Sequence, residues 1–358
     1  MARFSLLSAV RGRARAAGAL TSALLLAGAL TACGSGADTA ATPGGSSSPT
    51  DPGAFPVTID HKYGSTKIEK APQRVVTVGL TEQDALLALG VVPVGTTEYL
   101  GNFPGAIGPW AKDKLGSAPV PTVLKGTDGP QFEKIAALKP DLIIGLYSAL
   151  TQEQYSTLSK IAPTIAQPKG FNDYGIPWQD ETKAVGKAVG KAKEADQLVQ
   201  GVEDQIAKAR AAHPEFAGKT ALMATQYDGY FVYGSEDPRS RILTDLGFKL
   251  PANLDQAIGD KFGANISAER TDLLNVDALA WIVDTIANGQ ATLAKDKLYS
   301  GLNVAKQKRE VFIEDASTYG GATSFVSPLS LPYQLQRLVP QLAAAVDGNP
   351  ATEVKPAS

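Results

Sequence analysis

Beyond residue 55 the chain alternates two patterns of apolar positions. Short aliphatic or β-branched runs occupy residues 74–78, 91–96, 141–146 and 163–165. Between them lie segments whose apolar residues return every three or four positions. Ala85, Leu86, Leu87 and Leu89 form one such face, closed by Gly90; Phe132, Ile135 and Ala136 form another, stopped by Pro140. A period near 3.6 buries one side of a helix, whereas an unbroken apolar run suits a strand covered on both faces. Residues 81–89, 132–138 and 151–161 are therefore expected as the helices of a β-α repeat, which builds a mostly parallel sheet.

A longer periodic segment follows at residues 180–212. Val185, Val189, Ala192, Ala195, Val199, Val202, Ile206 and Ala209 mark its stripe, with the lysines and acids mostly elsewhere. One continuous helix of that length would span about 50 Å, enough to cross the back of two lobes. Gly186, Gly190 and Gly201 each weaken it by up to ~1 kcal/mol relative to alanine, so packing of the stripe has to compensate. The β-α pattern then resumes, with strands at 220–226, 279–285 and 310–314, a hairpin strand at 230–233, and helices at 239–246, 268–275 and 330–346. The tail beyond Asp347 carries Pro350 and Pro356 and is expected to fray.

The first 54 residues follow different rules. Arg3, Arg11, Arg13 and Arg15 precede an apolar stretch at 16–30 that ends in Leu30-Thr31-Ala32-Cys33-Gly34. The stretch is short for a membrane span and reads as the core of a signal peptide. Its end matches the bacterial lipobox, in which cleavage precedes the cysteine and the thiol takes a diacylglycerol. Cys33 is the only cysteine of the 358 residues, which excludes an intrachain disulfide. Residues 1–32 are thus expected as signal peptide and residues 33–54, rich in Gly, Ser, Thr and Pro, as a flexible tether too polar to build a core. Acyl chains on Cys33 would hold the protein at the outer face of the cell membrane.

Composition narrows the chemistry. A net charge of -2 gives no basic footprint for nucleic acid. There are two histidines, His61 and His213, and neither falls at an expected strand mouth, so no bare-metal site is expected. The chain has no G-x-S-x-G elbow and no dinucleotide fingerprint after a strand. The pairs Gly186-Lys187 and Gly190-Lys191 lack Walker spacing. A binding protein is expected, with no catalytic residues, rather than an enzyme.

The order of the segments APQRVVTVG, TEQDALLALGVVPVGTT, FEKIAALKPDLIIG, ISAERTDLLNVDALAWIVDT and REVFIED, with the long helix in their midst, carries a resemblance over residues 58–346. It resembles the iron-siderophore branch (class III) of ABC-transporter substrate-binding proteins, related to ferric citrate, hydroxamate and cobalamin binding proteins. The resemblance implies an α/β fold of two Rossmann-like lobes joined by a single long backbone helix, with the ligand cleft between the lobes. Residues 55–179 would form the N-terminal lobe, 180–212 the connecting helix, 213–347 the C-terminal lobe and 348–358 a tail. It further implies a monomer that captures a ferric siderophore and delivers it to an ABC permease dimer. Iron would arrive inside its chelator, so no cofactor of the protein itself is expected. A haem or cobalamin cargo on the same fold is one alternative. A surface or signalling lipoprotein without a transport role is another.

Ligands of open α/β sheets lie beyond the carboxyl ends of the strands. The aromatics that fall there are Tyr99, Trp110, Tyr147, Trp178, Tyr227, Tyr319 and Phe325, and core packing is the alternative role for each. Aromatic walls would bury the organic shell of a chelate. Arg239, and after it Arg241, could donate to chelate oxygens through the guanidinium fork. Glu82, Glu98, Asp228 and Asp284 add acids at the expected mouth. Glu133 and Glu269 each stand in the first turn of an expected helix, where the helix dipole alone favours a carboxylate. The resemblance implies a second role for this pair, docking to permease arginines from the top of each lobe.

Overall fold

The computed structural model describes residues 50–98, 103–126, 129–227 and 229–357. The expectations placed on Cys33, Tyr99 and Asp228 lie outside the described residues. A hairpin of β1 (Val57–His61) and β2 (Gly64–Ile68) opens the fold. The first sheet contains β3 (Val75–Thr77), β4 (Gly95–Thr97), β5 (Thr122–Leu124), β6 (Leu142–Gly145) and β7 (Thr164–Ala166). Its spatial order is β5-β4-β3-β6-β7 and every pairing is parallel. Strand side chains alternate between faces. Accordingly Val75, Leu142 and Ile144 enter one core while Val76 and Ile143 enter another, so the sheet is covered on both sides.

The second sheet contains β8 (Ala221–Gln226), β9 (Tyr230–Tyr233), β10 (Gly263–Ile266), β11 (Ala278–Val283) and β12 (Glu310–Glu314). Its order is β10-β9-β8-β11-β12, with β9 antiparallel to both of its neighbours. Ala278 to Val283 is buried throughout, as a central strand between two helical layers requires. The short hairpin β1–β2 and the edge strands β5 and β10 have no distinct apolar run, and periodicity alone does not single them out.

The segment between the lobes departs from the expectation of one helix at 180–212. Two helices stand there, Trp178–Ala188 and Ala192–Ala212. Gly190 sits in the left-handed region at φ 72° and turns the chain. A side chain at Gly186 would overlap Ala195 Cβ, so the helices approach closely at that point. At the far end Gln179 Nε2 donates to Glu203 Oε1 at 3.4 Å. The pair is therefore an antiparallel helical hairpin. Val185, Ala188 and Ala195 join the core of the first lobe, while Trp178, Val199, Val202 and Ile206 join that of the second. Both helices thus reach from one core to the other, which keeps the bridging role and changes its form.

Both ends of the described chain are held more firmly than their composition suggests. Asp51 N–H donates to Gly190 O at 2.7 Å, so the last residues assigned to the tether rest on the hairpin turn. The tail after Asp347 does not fray. Val354 and Ala357 pack on the second-lobe core, and Gln341 Nε2 on the helix Ser330–Val346 donates to Lys355 O at 2.9 Å.

Candidate functional site

The strand order reverses direction between β3 and β6, which leaves a crevice at their carboxyl ends. A cleft of about 520 Å³ opens there. Val78 and Leu80 follow β3, Thr97 and Glu98 come from the end of β4, Lys125 follows β5, and Tyr147 and Ser148 follow β6. Phe325 reaches in from the second lobe.

An aromatic row crosses between the lobes. Tyr147 meets Tyr174 edge-on at 5.5 Å between centroids, and Tyr174 meets Phe262 of the second lobe at 5.9 Å. Phe262 touches Phe231, and Phe231 touches Tyr233. The Arg239 guanidinium then lies 4.0 Å from the Tyr233 ring centre. Such edge-to-face contacts hold rings in fixed places; of this row Tyr147 and Tyr174 line the cleft, while Tyr233 is buried in the second-lobe core with Phe231 and Phe262 packed against it.

Arg239 is not an isolated cation. Its Nε and Nη2 donate to Oδ1 and Oδ2 of Asp237, both at 2.8 Å. Asp237 is fully buried and also caps the helix Pro238–Asp245 through the Arg239 N–H. Burial works against the guanidinium charge, and the Asp237 carboxylate more than offsets it, holding the pKa above its ordinary value. Arg241 lies within electrostatic reach of Glu236, Asp237 and Tyr147, and burial lowers its pKa.

Beneath the first-lobe wall is a group of acids. Glu82, expected at the mouth, is 0% exposed. Its Oε1 accepts the N–H groups of Leu146 at 2.6 Å and Tyr147 at 2.8 Å, so it fixes the turn that carries Tyr147 into the cleft. Thr81 Oγ1 donates to Glu181 Oε2 at 2.8 Å. Burial raises Glu82 to about 7; burial and then the nearby Glu82 charge raise Glu181 well above the carboxylate range. Asp84, 2% exposed, accepts Trp110 Nε1–H at 2.7 Å and Ser327 Oγ–H at 2.5 Å on its Oδ2. Ser327 belongs to the second lobe, so Asp84 ties the lobes together, and burial raises its pKa to about 6.

The remaining candidates separate. Tyr147 and Phe325 line the cleft and Arg239 stands beside Tyr147. Trp110 lies against Phe103, Tyr333 and Asp84 at the lobe junction instead of in the cleft wall. Trp178 opens the bridging hairpin and is packed in the second-lobe core. Tyr319 is buried in that same core with its hydroxyl donating to Gln341 Oε1 at 2.9 Å. Tyr227 is 71% exposed just after β8. Asp284 is exposed after β11 and accepts from Asn288 Nδ2 at 2.6 Å. Glu133 and Glu269 are exposed first-turn residues of Phe132–Ala137 and of the 3₁₀ helix Ala268–Leu274. Both helices leave the carboxyl edges of their sheets, because β10 runs parallel to β8. The residues that the sequence left unmarked are Phe262, Phe231 and Tyr233, and only the aromatic density of 230–233 hinted at them.

His61 is buried and takes no part in the site. Tyr63 N–H donates to its Nδ1 at 3.2 Å, which leaves the proton on Nε2, 3.0 Å from Thr66 Oγ1. Burial lowers its pKa and keeps the ring neutral.

Comparison with known proteins agrees with this architecture. A solute binding protein structure from Mycobacterium smegmatis is 36% identical, with a TM-score of 0.70 over 81% of this chain and 98% of that one. Streptococcus pneumoniae PiaA, solved in complex with ferrichrome, is 32% identical, with a TM-score of 0.72 over 81% and 98% of the two chains. The Fe(3+) dicitrate-binding periplasmic protein FecB of Escherichia coli is 28% identical over 270 residues, 74% of this chain and 84% of its own length. A family model described as periplasmic binding protein matches residues 75–316, which takes in both sheets and the hairpin between them. With that match extending over more than half of its length, the chain belongs to the periplasmic binding protein family.

Proposed function

We propose that the protein captures a ferric siderophore outside the cytoplasmic membrane and hands it to an ABC importer. The observation that carries this reading is the cleft of about 520 Å³ at the carboxyl edges of the strands, walled by Tyr147, Tyr174 and Phe325. Its size and aromatic lining suit an organic chelate that already encloses its iron. The relatives named for ferric dicitrate and solved with ferrichrome support the same cargo class over haem or cobalamin. It is a binding protein and not an enzyme, and the iron complex is its cargo, not a cofactor.

Three finer assignments belong to the proposal. Cys33 carries the lipid anchor. Glu133 and Glu269 meet the permease dimer, one from each lobe, being exposed acids on the cleft side of their sheets. The protein works as a monomer. The decisive experiment is a calorimetric titration of the full chain with ferric hydroxamate, catecholate and citrate complexes, with haem and cobalamin alongside. Saturable one-to-one binding of a ferric siderophore is expected. Tight binding of haem or cobalamin alone, or silence across the panel, would overturn the assignment.

A further inference from the structure

The charges around the cleft cancel, and this limits the chelates that it can hold. Among the described lining residues only Glu98 and Lys125 are charged, and they have opposite signs. On the facing lobe Arg239 is matched by Asp237 at 2.8 Å, and Arg241 stands near Glu236. Two cations therefore face two carboxylates. Behind the first-lobe wall lie three more buried acids, Glu82, Asp84 and Glu181. No basic surplus remains anywhere in this inventory.

Resting on the siderophore reading above, we infer that the cleft selects an uncharged ferric chelate of the trihydroxamate class. Three singly deprotonated hydroxamates balance the charge of iron(III). Three doubly deprotonated catecholates leave the complex triply negative. Moving such an anion from water against aromatic walls requires compensating cations, and a partly buried charge without them is strongly disfavoured. A neutral complex asks only for hydrogen-bond donors to its oxygens. Arg239 keeps its Nη1 hydrogens after engaging Asp237, and Arg241 Nη1 is buried with no partner among the described residues. A guanidinium whose charge is already balanced still donates, so the pair recognises oxygen atoms without adding net positive charge.

The test is a calorimetric titration of the full chain with a ferric trihydroxamate and a ferric tricatecholate at two salt concentrations. The trihydroxamate is expected to bind at least ~30-fold more tightly, with little change on adding salt. Glu98→Lys, which places positive charge at the rim, should narrow the gap by improving tricatecholate binding. Equal or tighter tricatecholate binding that weakens with salt would overturn the inference and leave the siderophore function standing. A gap unmoved by Glu98→Lys would overturn its electrostatic basis. Binding of neither complex would overturn the inference, and the siderophore function would then stand or fall on the wider panel that includes ferric citrate.

Discussion

Asp84 shows how much one buried carboxylate can do. It accepts from an indole of its own lobe and a serine of the other through a single oxygen, while its Oδ1 is buried without a partner among the described residues. Burial lifts its pKa from 3.8 to about 6. Between those values the folded protein holds a proton that the unfolded chain has lost, so this group's contribution to stability falls as pH rises through the window. Glu82, raised from 4.5 to about 7, acts in the same direction. Asp84→Asn keeps an acceptor for Trp110 and Ser327 but cannot ionise. Thermal melts should show the variant gaining on the wild type by roughly 2 kcal/mol between about pH 4.5 and about pH 7. A constant difference across that range would mean that Asp84 does not titrate there. At this scale the sequence was a poor guide. Tyr147 and Trp178 are both aromatics that follow a strand, yet one lines the cleft and the other fills a core. The difference lies in how the loop after β7 folds back toward the second lobe, and no local pattern encodes that. Glu82 read as a mouth residue for the same reason, since its carboxylate turns inward to backbone N–H groups sixty-odd positions away.

The helical hairpin is the element whose form the periodicity concealed. The stripe from Val185 to Ala209 is real, because antiparallel helices joined by a tight turn can each keep the spacing of a continuous one. What breaks the run is Gly190 at φ 72°, and what brings its halves together is Gly186 against Ala195. Gly201 has no such duty, with nothing within 4 Å of a Cβ placed there. Gly201→Ala should therefore stabilise the protein by up to ~1 kcal/mol, raising its melting temperature, whereas Gly186→Ala should lower it. The reverse order would refute the hairpin packing. The helix Ser330–Val346 and the strand Glu310–Glu314 match their sequence patterns end to end, since each carries a full period of buried positions. β5 and β10 are short edge strands held by their neighbours, and their own residues announce little.

For the whole molecule, the two-lobe plan and the site's location at the strand mouths were legible, because β-α alternation dictates both. The composition of the cleft was not, because it depends on which loops meet across the lobes. The proposed docking pair belongs to this scale, one exposed acid on each lobe at the cleft side. Combining Glu133→Ala with Glu269→Ala should impair uptake of labelled iron in cells, most strongly at low salt where rim charges are least screened, while the purified variant keeps its chelate affinity. Normal uptake would remove both residues from the interface. The bridging hairpin also bears on the integrity of the fold. Trp178 and Val199 complete one core while Val185 and Ala195 complete the other, with the four interleaved along a single stretch of chain. No cut within that stretch leaves both halves with an intact interior. The two lobes are thus expected to melt together as one cooperative unit, and no single cut by protease or by cloning inside the stretch should release both as self-sufficient fragments.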